Sequence, residues 1–422
     1  MKKLSNMSDG LVGSQILELA EQIKQKIREG EKIYNLTIGD FDPSIFPIPQ
    51  ELREEIAQAY INQETNYPAS NGIPELREAV SAFIKRKGGL DYHANDILVS
   101  SGARPLIFAA YLTLIDQGEK VLFPVPSWNN NFYSHIAGAD TILIETSPAD
   151  NFMPTAAQIA PYIKETTLVA LCSPLNPTGT VFTRTQLEEI CDLIIAENQR
   201  RGENQKPVYL LFDQIYWNLV YKDAQHFDPV SLRPEIRPYT ILIDGLSKAF
   251  AATGLRLGWA YGPADIIHKM KLLLAHVGAW ASKPVQSGTS NYLKNNEVVD
   301  DFLKDIKEKL VKRLDMFYEG FQQLKEKGYP VDAITPQAAL YLTVKLDLSN
   351  YTSPDGEVLD TGKKVYQYLL DSSGVALVPF YAFGLEESSV WHRLSVGTAE
   401  LSQGEDIFNR LEIALSKLKK KS

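Results

Sequence analysis

An α/β architecture is what this sequence predicts: a large domain built on a mostly parallel sheet with helices on both faces, joined to a smaller discontinuous α+β domain. Three observations lead there. From about residue 96, seven short β-rich runs alternate with helical stretches, and that alternation marks parallel strands joined by crossover helices. Several of the runs are continuous Val, Leu and Ile, the mark of strands buried on both faces. Beyond about residue 290 the texture changes to a long charged amphipathic segment followed by isolated strands. The expected division is a large domain over 46–290 and a small domain formed by 1–45 together with 291–422.

Taken in order, the first periodic segment is "GSQILELAEQIKQKIREG", with Ser14 as N-cap, apolar residues at Ile16, Leu19, Ala20, Ile23 and Ile27, and Gly30 as a stop. This spacing predicts an amphipathic helix, expected to pack with the small domain. Next, "NLTIGDFDPSIFPIPQELREEIAQAY" runs from a short strand through a Gly/Pro-rich loop into a helix. Asp40 and Asp42 in that loop suit Asx-turn and capping roles. The seven runs are "DILVSSG", "KVLFPVP", "TILIE", "TTLVALCSP", "PVYLLFD", "TILIDGLS" and "GWAYG", with helices such as "TRTQLEEICDLIIAENQ" between them. A long helix is expected over "NEVVDDFLKDIKEKLVKRLDMFYEGFQQLKEKG", and "AALYLTVKLDL", "GVALVPF" and "WHRLSVG" supply small-domain strands.

Composition narrows the function. The 422 residues are 44% apolar and 23% charged, the proportions of an ordinary soluble protein. A net charge of -9 leaves no basic footprint for nucleic acid or an anionic membrane, and the terminal "KLKKKS" is a solvated tail. Cys172 and Cys191 lack metal-ligand spacing and point to a reduced, cytoplasmic setting. The amino terminus "MKKLSNMSDG" passes into polar residues without the apolar stretch of a secretory signal. His135, His226, His268 and His276 are scattered without a partner pattern, so no metal site is expected.

In such sheets ligands lie outside the carboxyl ends of the strands. The residues there are Ser101-Gly102-Ala103-Arg104, Ser127-Trp128, Asn176-Pro177-Thr178-Gly179, Asp213 with Tyr216, and Ser247-Lys248. Set against the needs of pyridoxal phosphate, they match one by one. Lys248 lies in a small and apolar run that would lower its amine pKa for attack on an aldehyde. Asp213 ends an apolar strand and would keep a pyridine nitrogen protonated. Asn176 and Tyr216 offer neutral donors to a ring oxygen, and Trp128 offers an aromatic platform. The helix opened by "SSGAR", with the Arg256 guanidinium, suits a phosphate.

With those residues in place, the sequence resembles the class I/II aminotransferases, pyridoxal-phosphate enzymes of the aspartate aminotransferase fold. The resemblance rests on "YPASNGIPELREAV", "SSGARPLIFAAYLTLIDQGEKVLFPVPSW", "SPLNPTGTVFT", "FDQIYW", "GLSKAFAATGLRLG" and "HRLSVG", in the family's order from about residue 34 to 398. It implies Lys248 for the Schiff base and proton transfer, Asp213 for the ring nitrogen, and Asn176 and Tyr216 for the ring oxygen. Gly102, Ala103, Arg256 and Ser247 would surround the phosphate, with Tyr67 reaching it from the partner subunit of a homodimer. Arg393 would grip the substrate α-carboxylate, and Gly39 and Asn176 would lie against the substrate.

Two positions depart from the family pattern. Gly245 stands where many relatives have a serine whose hydroxyl meets the phosphate. Arg104 opens the phosphate-binding helix, where it suits a structural ion pair, the phosphate or the distal carboxylate of an acidic substrate. The expected function is amino transfer from an L-amino acid, an acidic one favoured by Arg104 and Lys283, to a 2-oxo acid. Trp128, Tyr133 and Trp280 suit an aromatic substrate instead, and a carbon-sulfur β-lyase would begin with the same lysine. A nicotinamide dehydrogenase is disfavoured because no GxGxxG follows a strand. A cofactor-sensing transcription regulator would need a helix-turn-helix region ahead of motifs that begin near residue 34, and the net charge opposes DNA binding.

Overall fold

The computed structural model describes residues 4–11, 13 and 15–421. All seven anticipated runs form strands of one sheet, ordered 97–100, 258–261, 240–245, 209–213, 166–172, 120–125 and 140–145. Neighbouring strands are parallel except that Gly258–Tyr261 runs antiparallel to both of its neighbours. Both faces are covered. Leu122, Val169, Leu171, Leu210, Phe212 and Leu242 point into one core, packed by the helices Pro74–Gly88 and Arg184–Arg201. Val121, Phe123, Leu168, Leu211, Ile241 and Ile243 point into the other, beneath Ala103–Leu114 and Ala264–Val277. The terminal strand Asp140–Glu145 has only one covered neighbour and leaves Leu143 exposed, so its apolar run is not buried on both faces.

Local chemistry sets the element ends. The helix Arg184–Arg201 starts in a capping box: the Thr183 hydroxyl accepts from the Gln186 backbone N–H, and the Gln186 side chain accepts from the Thr183 N–H. In the helix Gln15–Arg28, Leu19 and Ile23 are buried against Tyr366, Leu370, Val378 and Phe380, whereas Ile27 is exposed. Its expected N-cap, Ser14, lies outside the described residues.

A second sheet, ordered Val378–Pro379, Trp391–Ser395, Tyr341–Leu346 and Val331–Ala333, is antiparallel throughout. The helix Asn296–Glu326 joins the two cores. Val299 and Leu303 of its first turns pack into the core of the large sheet, and Leu310, Leu314, Phe317, Phe321 and Leu324 into that of the small one. At 1.5 Å per residue the helix is about 46 Å long, enough to span both. Among the described residues no helix is long and apolar enough to cross a membrane.

Candidate active site

The strand directions bring Gly102, Asn176, Asp213 and Lys248 to one edge of the large sheet, at the carboxyl ends of their strands. The Lys248 ammonium donates to the Gly39 carbonyl at 2.5 Å, with the Tyr216 and Phe41 rings 5.9 and 6.0 Å away. Burial lowers this amine to about 8; the Asp40 charge opposes the shift, and Arg393, Arg104 and Arg256 add to it. Burial raises the Asp213 carboxyl to about 6, against the Ile215 N–H, which donates to it at 3.0 Å, and the Lys248 charge. The Tyr216 and Tyr341 hydroxyls lie 2.8 Å apart, and burial holds the Tyr216 phenol well above its ordinary range.

Arg393 is fully buried on the small sheet, paired across it with Thr343 and Val378. One terminal nitrogen donates to Asn176 Oδ1 at 2.9 Å and the other to the Thr37 carbonyl at 2.6 Å. Its Nε finds no partner, and no carboxylate pairs with it, among the described residues. The Tyr341 and Phe383 rings flank it at 4.7 and 5.0 Å. A guanidinium withdrawn from water without a counter-charge costs several kcal/mol until an anion reaches it.

The chain also builds an anion cradle. Gly102, at φ +100°, is the N-cap of Ala103–Leu114, so that helix presents unpaired N–H groups and the positive end of its dipole. A Cβ on Gly102 would run into the Arg256 guanidinium, and one on Gly258 would come within 2.7 Å of the Ala103 nitrogen. Arg256 is exposed despite its apolar surroundings in sequence, and donates to the Thr253 and Ser101 carbonyls at 2.8 and 3.3 Å. Ser247 is buried in the single turn Leu246–Ala249. The missing hydroxyl at Gly245 has a packing reason: a Cβ there would meet Gly258 Cα at 2.7 Å and the Leu257 carbonyl at 2.8 Å.

Arg104 is exposed, lies 5.3 Å over the Trp128 ring, and meets no carboxylate among the described residues. Burial pushes the nearby Tyr133 phenol up to about 12, with Arg104 opposing and Asp213 reinforcing. Tyr67 stands edge-on to Trp280 at 5.2 Å, and Lys283 donates to Asn66 at 2.7 Å. Neither Tyr67 nor Lys283 hydrogen-bonds to the Lys248 group within this chain. Asp42 makes the expected Asx turn, accepting from the Ser44 N–H and hydroxyl. Asp40 instead accepts from the Thr253 hydroxyl at 2.6 Å and ties its loop to the cradle.

Sequence reasoning missed Tyr341, Thr37 and Phe383. Tyr341 in "AALYLTV" reads as one more strand aromatic, and only the pairing with the Arg393 strand reveals its place. The donor set fits pyridoxal phosphate: an amine of lowered pKa, a buried carboxylate, an amide and a phenol, and a cradle whose glycines leave no room for a Cβ.

Known proteins extend this. A probable aspartate/prephenate aminotransferase of Rhizobium leguminosarum bv. phaseoli is 30% identical over 406 residues, covering 92% of this chain and 94% of that protein. The solved aspartate aminotransferase of Rhizobium meliloti superposes with a TM-score of 0.91 at 26% identity, covering 99% of this chain and 100% of the other. The aromatic aminotransferase of Pyrococcus horikoshii OT3 gives a TM-score of 0.80 at 26% identity, covering 93% and 98%. Residues 31–405 match the model of "Aminotransferase class I and II". On the strength of that match, which takes in both sheets and every residue of the anion cradle, the chain belongs to the class I and II aminotransferases, pyridoxal-phosphate enzymes.

Proposed function

We propose that the enzyme moves the amino group of an acidic L-amino acid, such as aspartate, to a 2-oxo acid. One observation carries this reading: of the three guanidinium groups whose charge acts on Lys248, Arg256 belongs to the anion cradle, and the other two, Arg393 and Arg104, have no carboxylate partner among the described residues. A substrate with two carboxylates would satisfy both, and a planar fork favours such bidentate pairing over an ammonium.

When bound, pyridoxal phosphate supplies an aldehyde that condenses with amines and a ring that withdraws electrons from the carbon carrying them. Gly102, Ala103, Ser247 and Arg256 would hold its phosphate, Asp213 would serve the ring nitrogen, Trp128 would offer an aromatic platform, and Asn176 Nδ2 and the Tyr216 hydroxyl would donate to the ring oxygen. Arg393 orients the substrate α-carboxylate through its remaining donors, with Gly39 alongside. Lys248, whose amine is readily neutral near pH 8, accepts and returns the proton at the substrate Cα. Tyr67 serves the phosphate site of the partner subunit in a homodimer, and the site sits where the unit 46–290 meets the unit of 1–45 and 291–422. Two unpaired thiols support a cytoplasmic setting.

An aromatic substrate is the second reading, favoured by the rings of Trp128 and Tyr133 beside Arg104. Arg104→Ala decides between them. Losing one charged hydrogen-bonded pair, about 1.5–3 kcal/mol, lowers kcat/KM for aspartate roughly 10–100-fold, with alanine and phenylalanine nearly unchanged. Equal losses for all three would remove Arg104 from side-chain recognition. Formation of a 2-oxo acid only when an amino acceptor is present separates transfer from β-elimination, which releases ammonia without one.

A further inference from the structure

Two phenols meet beside the catalytic lysine. Side chains alternate along a strand, so Tyr341 and Thr343 share a face, and Thr343 pairs with Arg393 in the antiparallel register. Tyr341 is therefore a diagonal neighbour of Arg393, and its ring stands 4.7 Å from the guanidinium. The same ring meets that of Tyr216 edge-on, with centroids 5.6 Å apart and planes inclined at 69°. This leaves the two hydroxyl oxygens 2.8 Å apart, and neither has another hydrogen-bond partner among the described residues. Both residues are buried. A Cβ on Gly39 would come within 2.8 Å of the Tyr341 oxygen, so the Gly39 backbone lies close against it.

Proton counting decides how the pair is used. Burial raises both phenols, so each oxygen keeps its one hydrogen. A hydroxyl donates once and accepts through its lone pairs, and in the pair as it stands either oxygen can be the donor. Once Tyr216 gives its hydrogen to the ring oxygen of pyridoxal phosphate, it has none left for Tyr341. The contact then survives only with Tyr341 as donor and Tyr216 as acceptor; the alternative leaves a buried O–H without a partner, which is costly. A phenol that accepts one hydrogen bond donates a stronger one, because linked bonds polarise each other.

We propose that Tyr341 is a positioning residue: its hydroxyl donates to the Tyr216 oxygen, and so aims and strengthens the hydrogen bond that Tyr216 gives to the ring oxygen of the cofactor. This rests on the role of Tyr216 proposed above. A donor at the ring oxygen favours the form in which that oxygen carries most negative charge, the form that has given up the proton between it and the Lys248 nitrogen. Tyr341 thereby lowers the proton affinity of the bound cofactor without touching it.

Titration of the holoenzyme's visible cofactor absorption against pH is the test. Tyr341→Phe keeps the ring against Arg393 and removes only the hydroxyl; it should raise the midpoint by about half a unit to one unit. Tyr216→Phe should raise it further. The double variant should match Tyr216→Phe alone, because Tyr341 acts only through Tyr216. A midpoint moved by Tyr216→Phe but not by Tyr341→Phe would overturn the proposal and leave the role of Tyr216 standing, as would two shifts that add in the double variant. No shift in any of the three would remove the role of Tyr216, and the proposal with it.

Discussion

At Asp213 the folded chain binds a proton more readily than the unfolded chain, because burial moves the carboxyl from 3.8 to about 6. Between those values the native state holds more protons, so the group's contribution to stability falls as pH rises from 3.8 to 6 and stays low above. Asp213→Asn in the cofactor-free protein should raise Tm at pH 7, and the gain should close by pH 4; scanning calorimetry that found the same gain at both would refute the assignment. The same change lowers activity roughly 10²–10⁴-fold if the carboxylate serves the ring nitrogen. Lys248 titrates with the opposite sense: its amine drops from 10.5 to about 8, so stability rises with pH through that window. Asp213 and Lys248 were legible in the sequence because each is an ionisable group in an apolar run. Tyr341 was not, since an aromatic in a strand is the commonest core residue and its hydroxyl contact is made across 125 positions of chain.

Two glycines facing each other set the spacing of two strands. Gly245 pairs with Gly258 in the antiparallel register, and neither has room for a side chain. Gly245→Ser should therefore destabilise the fold by about 1–3 kcal/mol, the usual cost of overpacking; an unchanged urea midpoint would show that the strands can part cheaply. At this scale the seven strands and the long helix were readable from apolar runs and from periodicity. The strand Asp140–Glu145 shows the limit of that reading, because an apolar run does not say that its strand is last in the sheet. Ile27 fell outside the buried stripe for a related reason: the helix Gln15–Arg28 runs past the surface it packs on.

Across the whole molecule, Tyr60, Ile61 and Tyr67 form a run of large exposed side chains, 55, 72 and 82% accessible. Such surface usually meets a partner, and it supports the homodimer proposed above. Sedimentation equilibrium should give twice the 47.2 kDa of one chain, and Tyr67→Phe should weaken cofactor retention; a fully active monomer would exclude the shared site. The order of strands was beyond the sequence alone, because an antiparallel strand inserted between 97–100 and 240–245 leaves no local mark.

Synthesis gives the Arg393 contacts a further meaning. The strands and loops that set Gly102, Asn176, Asp213, Lys248 and Arg256 have all been translated once residue 261 is made. The guanidinium that joins Thr37 to Asn176 belongs to a strand that leaves the ribosome much later, 356 positions after Thr37. Domains fold largely as they emerge, so a growing chain can shape its phosphate cradle while it still lacks any grip on an amino acid. The catalyst stays silent until that strand is delivered.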